Sequence, residues 1–278
     1  MFCLKKFLFL CTLSLFSTVL YAQEYGLQLY SLRNQFKEDP SATMALVKSY
    51  GIKYVEMSGT FGLSFPEFIS LIAKNELEVV SYAADFERLK NFPQSVADEA
   101  RSYGAKYVVC TWIPHKTPFS IQHVEEAAEV FNAAGKILAQ NGLLLCYHPH
   151  GYEFQPYESK TLFDKMIEVF DSRYVYFEMD VFWIKQAGQD PVALLKKYSN
   201  RWILIHLKDR KKGTPNSTNG HADVESNVTL GDGDVDIASV VSTAKKQGIK
   251  YFFIEDESSR SQEQISKSLN YLKSLSDF

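Results

Sequence analysis

From Tyr25 onward, short apolar runs alternate with segments of helical period. The runs are rich in Val, Ile, Leu, Tyr and Phe, as parallel strands buried on both faces require. Eight stand out: Tyr25 to Ser31, Lys53 to Met57, Val79 to Ala83, Tyr107 to Thr111, Leu143 to His148, Val175 to Asp180, Ile203 to Lys208 and Tyr251 to Glu255. A helix-period segment follows each. Asp39-Pro40 and Asp190-Pro191 set a capping oxygen ahead of a proline at the first helical position, and Ser64 with Glu67 has capping-box spacing. Gly51, Gly104, Gly142 and Gly248 stand just before the next run, where a helix ending in left-handed geometry favours glycine. Eight strand-helix units with no linker between them predict an α/β protein, a (β/α)8 TIM barrel forming one domain over residues 23–278. An open doubly wound sheet is the alternative. No glycine-rich loop follows the first run, which counts against a nucleotide-binding version of it.

The start of the chain follows a different pattern. Lys5 and Lys6 precede a mostly apolar stretch, Phe7 to Leu20, that ends in Tyr21-Ala22, the layout of a secretory signal. Residues 1–22 are therefore expected to be a signal peptide cut after Ala22, leaving an exported protein, periplasmic or secreted. No later run approaches the roughly 20 apolar residues that a membrane-spanning helix needs. The net charge of −3 opposes nucleic-acid binding by bulk charge. Beyond the signal, only Cys110 and Cys146 remain, both in apolar runs and both read as buried thiols.

Active sites of such barrels lie where the strands end, so polar residues that finish apolar runs are the ones to collect. His148, Asp180, His206 and Glu255 finish four successive runs. Taken singly, each has an ordinary explanation as a satisfied hydrogen bonder or a helix cap. Together, two imidazoles and two carboxylates converging on one mouth form a ligand set suited to one divalent ion, Mn²⁺, Zn²⁺, Co²⁺ or Fe²⁺. Side chains alternate along a strand, so His150 shares the parity of His148, Glu178 that of Asp180, and Lys208 that of His206. His150 is a candidate proton relay. Lys208 is a candidate acid, base or charge-stabilising cation, as a desolvated lysine with a lowered pKa can be, with an ion pair to Glu178 or Asp209 as the alternative. Glu56, at the end of the second run, is a candidate substrate contact. Trp112, His115 and Trp183 follow the fourth and sixth runs and offer aromatic faces to a substrate, or else pack in the core. Lys211 to Gly231 is long and polar, either a lid or a solvated excursion.

Tyr147-His148-Pro149-His150 with Glu153-Phe154, Phe177-Glu178-Met179-Asp180 with Trp183, Ile205-His206-Leu207-Lys208-Asp209, Gly231-Asp232-Gly233 and Ile254-Glu255 together resemble the xylose isomerase-like TIM barrels known as sugar phosphate isomerases/epimerases. The resemblance spans nearly all of the chain after the signal and is strongest from residue 143. It implies a bound divalent metal and a carbohydrate substrate, with Glu153 joining Glu56, Trp112, His115 and Trp183 as substrate-binding residues. In the ketose epimerases of that superfamily the four ligands are Glu, Asp, His and Glu, the first and last serving as opposed bases. Here His148 takes the first place, so Glu255 is the one carboxylate left to act as base, with Lys208 or His150 serving the leaving oxygen or relaying a proton. An ion beside a carbonyl withdraws charge and lets a weak base take the neighbouring proton. The expected function is thus a metal-dependent sugar isomerase or epimerase. Export, and the lack of an arginine pair or glycine nest for phosphate, point to a non-phosphorylated sugar or glycoside. The alternatives are a 3-keto-glycoside lyase or hydratase of the same superfamily and a non-catalytic carbohydrate-binding barrel.

Overall fold

The computed structural model describes residues 24–276. The expected signal peptide, residues 1–22, lies outside them. Eight strands, β1 (Glu24–Gln28), β2 (Tyr54–Glu56), β3 (Glu78–Ala83), β4 (Tyr107–Cys110), β5 (Leu144–Tyr147), β6 (Val175–Asp180), β7 (Trp202–Leu207) and β8 (Tyr251–Ile254), form a closed barrel in sequence order. Every neighbouring pair is parallel, and β1 closes the ring on β8. Helices α1 (Arg33–Glu38), α2 (Pro40–Ser49), α3 (Phe65–Lys74), α4 (Phe86–Asn91), α5 (Pro93–Ser102), α6 (Ile121–Gln140), α7 (Leu162–Val169), α8 (Val181–Gln186), α9 (Pro191–Lys197), α10 (Ile237–Lys246) and α11 (Ser261–Ser276) fill the crossovers. None of these helices is long and apolar enough to cross a membrane.

The local signals act as their chemistry demands. Asp39 and Asp190 accept backbone N–H bonds at the starts of α2 and α9, and Ser64 and Glu67 form a capping box on α3. Gly51, Gly104, Gly142 and Gly248 all adopt positive φ. Cys110 and Cys146 are buried free thiols. The first run ends earlier than expected. Gln28 turns its side-chain oxygen back to accept from Tyr30 N at 2.5 Å, and Leu29–Leu32 becomes a 3-10 turn instead of strand.

Inward-facing side chains stack in layers from the bottom of the barrel to its mouth. Val80, Val109, Cys146, Leu204, Tyr251 and Phe253 make a buried apolar plug at the bottom. Two residues further along their strands come His148, His206 and Glu255, so the same alternation that seals the base delivers polar groups to the top. Gly26 permits the tight closure here, since a side-chain carbon in its place would lie 2.6 Å from Tyr54 O and 2.7 Å from the Phe253 ring.

The polar excursion after β7 is tied down along its length. Asp209–Arg210 pairs antiparallel with Asn227–Val228. The Asp209 carboxylate accepts from the backbone of Gly231, Gly233 and Val235 at 2.9, 3.0 and 3.1 Å. Buried Arg210 donates to Asp234, Gln186 and Asn216. At the tip, Gly220 has a φ of +74° and sits so close to the Tyr152 ring that a β-carbon would approach it to 2.7 Å. The segment is a packed wall of the barrel mouth.

Candidate metal centre

His148, just past β5, keeps the ladder going by donating its backbone N–H to Cys110 O. This fixes its ring inside the mouth, where Nδ1 lies 3.0 Å from Glu178 Oε2. In the tautomer that donates Nδ1–H to Glu178, Nε2 is the ring's acceptor, 3.7 Å from Asp180 Oδ2. Asp180 ends β6 and divides its work. Its Oδ1 caps α8 by accepting from Phe182 N and Trp183 N at 2.8 and 3.3 Å, and its Oδ2 points at the imidazoles. Among the described residues neither His148 Nε2 nor Asp180 Oδ2 finds a hydrogen-bond partner, although both are buried. Buried acceptors left unpaired are costly, and two aimed at one point mark a place for a cation.

His206 on β7 joins the two polar layers. Nε2 lies 2.7 Å from Glu56 Oε1 and 3.2 Å from Glu178 Oε2 below, while Nδ1 lies 3.1 Å from Glu255 Oε2 and 4.0 Å from Asp180 Oδ2 above. His148, Asp180 and His206 thus present ligand atoms within 4.8 Å of one another, with Glu255 beside them. Glu56, Glu178 and His206 form a second such group, deeper in the barrel. The upper group borders the cavity at the mouth through His148 and His206 and has two unpaired acceptors, His148 Nε2 and Asp180 Oδ2, against one in the lower group, Glu178 Oε1. The lower carboxylates are already engaged: Glu178 with both imidazoles, Glu56 with His206, Ser81 and Gln28. Carboxylates that hold the far nitrogens of ligand histidines fix ring orientation and raise basicity, which suits the upper group to a divalent ion.

Charge leads to the same conclusion. Glu56, Glu178, Asp180, Glu255 and Glu257 crowd around the two imidazoles with one ammonium, Lys208, among them. Burial drives the Asp180 pKa up to about 7 and that of Glu178 well above the usual carboxylate range. Burial lowers the His148 pKa well below the ordinary imidazole value, as suits a ligand, whereas at His206 burial is outweighed by the Glu178 and Glu56 carboxylates, which raise it well above, so an ion bound there would displace the His206 proton.

Lys208 departs from the expectation of a lowered pKa. Burial alone would pull it down, but the carboxylates of Glu255, Glu257 and Asp180 outweigh that and hold the side chain as an ammonium. Its Nζ lies 2.5 Å from Glu257 and 3.4 Å from Glu255 and sits over the rings of Phe182 and Trp183 at 5.3 and 5.6 Å. Lys208 is therefore a cation and proton donor and not a resting base. The alternative partners, Glu178 and Asp209, are occupied by imidazoles and by backbone N–H groups. Burial and then Lys208 push the pKa of His150 down to about 4, and its Nδ1 finds no partner among the described residues.

Other candidates fall in different places. Trp183 lines the mouth beside His150, the ring centroids 5.1 Å apart. Trp112 is 37% exposed and its indole stacks on His115, which is itself bound to Ile113 O at 2.8 Å behind it. Glu56 does not border the cavity: the β2–β3 register sets Ser81 opposite it, and its oxygens are taken by Ser81 and His206. Glu153 is likewise fully buried, accepting from Tyr147 OH and His150 N, so it holds the loop that carries His150. Both placements correct the expectation of direct sugar contacts. Glu257 was not singled out in the sequence. It shares the parity of Glu255 but lies beyond the strand, in an acidic run where the apolar pattern has stopped.

Burial raises the Glu153 pKa to about 7. A carboxyl whose folded pKa exceeds its unfolded value favours folding below the unfolded pKa, and that contribution is lost as pH rises through the folded one. Between about pH 4.5 and 7 the Glu153 contribution is expected to decline by roughly 3 kcal/mol. Glu153→Gln should flatten the pH dependence of thermal unfolding over that window; an unchanged profile would show that Glu153 is ionised at no cost.

The family model described as xylose isomerase-like TIM barrel matches residues 19–275. The chain belongs to that family. An inosose dehydratase of Geobacillus kaustophilus is 28% identical over 67% of this chain and 59% of its own length. This chain thus spans about three fifths of that relative. A sugar phosphate isomerase/epimerase of Parabacteroides distasonis has a crystal structure that superposes with a TM-score of 0.76 at 22% identity, over 91% of this chain and 98% of the other. The IOLI protein, solved with a binding zinc atom, superposes with a TM-score of 0.68 at 12% identity over 91% and 96% of the chains. These structural likenesses establish the shared barrel.

Proposed function

We propose that this chain is a metal-dependent carbon–oxygen lyase that removes a leaving group next to the ketone of an unphosphorylated keto-sugar, keto-polyol or keto-glycoside. The observation that carries the reading concerns the two carboxylates that border the inner cavity: Glu257 is ion-paired with Lys208 at 2.5 Å, and Glu255 alone also touches a candidate ligand, His206, at 3.1 Å. Glu255 borders the cavity beside His206 and Lys208, while the position across from it holds His148, whose ring has no second oxygen with which to reach a C–H bond. Two-faced epimerisation needs two bases. Elimination needs one base and one donor for the departing oxygen. Glu255 takes the proton from the carbon beside the ketone, and the ammonium of Lys208 donates to the leaving oxygen, directly or relayed through the neutral His150 ring. His148, Asp180, His206 and Glu255 would hold a divalent ion, which when bound supplies polarisation of the ketone.

Relatives named inosose dehydratases support dehydration over isomerisation. Isomerisation, placed first on sequence alone, moves behind elimination for these two reasons. An exported chain, as residues 1–22 predict, would meet unphosphorylated substrates. The reading is tested by incubating protein loaded with Mn²⁺ or Zn²⁺ with keto-sugars, keto-polyols and keto-glycosides in heavy water, followed by mass spectrometry. Loss of water or of an alcohol is the expected result. Deuterium uptake without such loss would return the isomerase, and sugar binding with neither would leave a binding protein.

A further inference from the structure

Two of the cavities at the barrel mouth adjoin each other. The inner one, of about 290 Å³, is bordered by His148, His206 and Glu255. The outer one, of about 260 Å³, lies under the excursion after β7, between Trp112 and the Phe182–Trp183 pair. His150, Trp183 and Glu257 line both. Loss of water from a single ring would leave the outer cavity without a use. We propose that the outer cavity is a leaving-group subsite, so that the substrate is a keto-glycoside whose ketone ring occupies the inner cavity and whose departing sugar or aryl ring lies between Trp112 and Trp183. The proposal rests on the elimination reading and narrows its substrate class.

Three features support it. The walls of the outer cavity include the indoles of Trp112 and Trp183, rings suited to the C–H side of a sugar or to an aglycone, and Asn227, Glu257 and Lys208 also line it and can meet hydroxyls. These walls are also pre-formed. Trp112 is more than a third exposed, yet it is held between His115, stacked at 5.1 Å, and the edge of Tyr152 at 5.0 Å, with Gly220 packed on both Tyr152 and Trp112. A fixed aromatic face binds without the entropy of ordering itself. Finally, the two cavities meet at His150, whose Nδ1 has no partner among the described residues. A glycosidic oxygen joining rings in the two cavities would pass this point. The step balances without any redox partner. The carbon next to the ketone gives its proton to Glu255, the C–H electron pair forms a carbon–carbon double bond, and the C–O bond on the next carbon breaks with its pair going to oxygen. That oxygen takes a proton from the Lys208 ammonium, directly or through His150, and leaves as the hydroxyl of the second ring, and the first ring leaves as an enone.

The test compares an aryl 3-keto-glucoside with a one-ring keto-cyclitol, using Mn²⁺-loaded protein and the variants Val224→Trp and Ala222→Trp, which fill the outer cavity from its exposed rim. The wild type should favour the two-ring substrate in kcat/KM by about tenfold or more, and each filled variant should lower that preference by a similar factor, mainly through KM. Equal kcat/KM for the two substrates, or a preference untouched in both folded variants, would overturn the subsite. If no keto-sugar reacts, the elimination reading fails by itself. Quenching of tryptophan fluorescence by the unoxidised aryl glucoside then decides the subsite: binding weakened in the filled variants supports it, and binding equal to wild type overturns it.

Discussion

Asp180→Asn is expected to strip the protein of its divalent ion while leaving it folded. The side chain has two separable duties. Oδ1 caps α8 through Phe182 N and Trp183 N, and an asparagine oxygen serves there nearly as well. Oδ2 is the unpartnered acceptor aimed at His148 and His206, and an amide nitrogen in its place offers a donor where a cation needs an anion. Losing one anionic ligand from a site built around orienting carboxylates should weaken metal binding by about 100-fold or more, while the melting temperature of the metal-free protein shifts by no more than a lost cap interaction of about 1 kcal/mol allows. Metal content by elemental analysis and unfolding of the chelated protein separate the two effects. Full metal content in Asp180→Asn would refute the assignment of the upper group.

Glu255→Gln should lower turnover by about 1,000-fold and abolish deuterium exchange at the carbon next to the ketone. Metal content should fall much less, because His148, Asp180 and His206 keep their positions and an amide oxygen still ligates weakly. Burial alone would raise the Glu255 pKa, but Lys208 and His206 outweigh it and hold the carboxyl well below its usual range. The group is thus ionised and ready to accept a proton once the ketone has acidified the substrate carbon. Exchange that survives Glu255→Gln would point to a second base and revive the epimerase.

The barrel was legible because its information is local. Apolar runs, Asp-Pro starts and glycines at helix ends each act over a few residues, and together they locate every strand of the barrel. Strand parity likewise brought His148, Asp180, His206 and Glu255 to one place. What parity could not tell is depth. Glu56 and Glu178 face inward like the ligands, yet they lie one layer down, and only the register between strands shows that they hold imidazoles. The β1 end failed for a similar reason: an apolar run continues through Leu29, but the Gln28 side chain satisfies Tyr30 N and stops the strand. Nor does the excursion after β7 have any period to read. Its form depends on Asp209 gathering backbone groups more than twenty residues away, and the outer cavity depends on that form.

The apolar plug at the bottom of the barrel also sets an order of events. With Tyr251, Phe253, Leu204, Cys146, Val109 and Val80 closing the lower end, whatever reaches His148 and Asp180 comes by the same doorway as the sugar. An ion held there would have to arrive before the proposed substrate and would stay locked in while that substrate filled the one entrance.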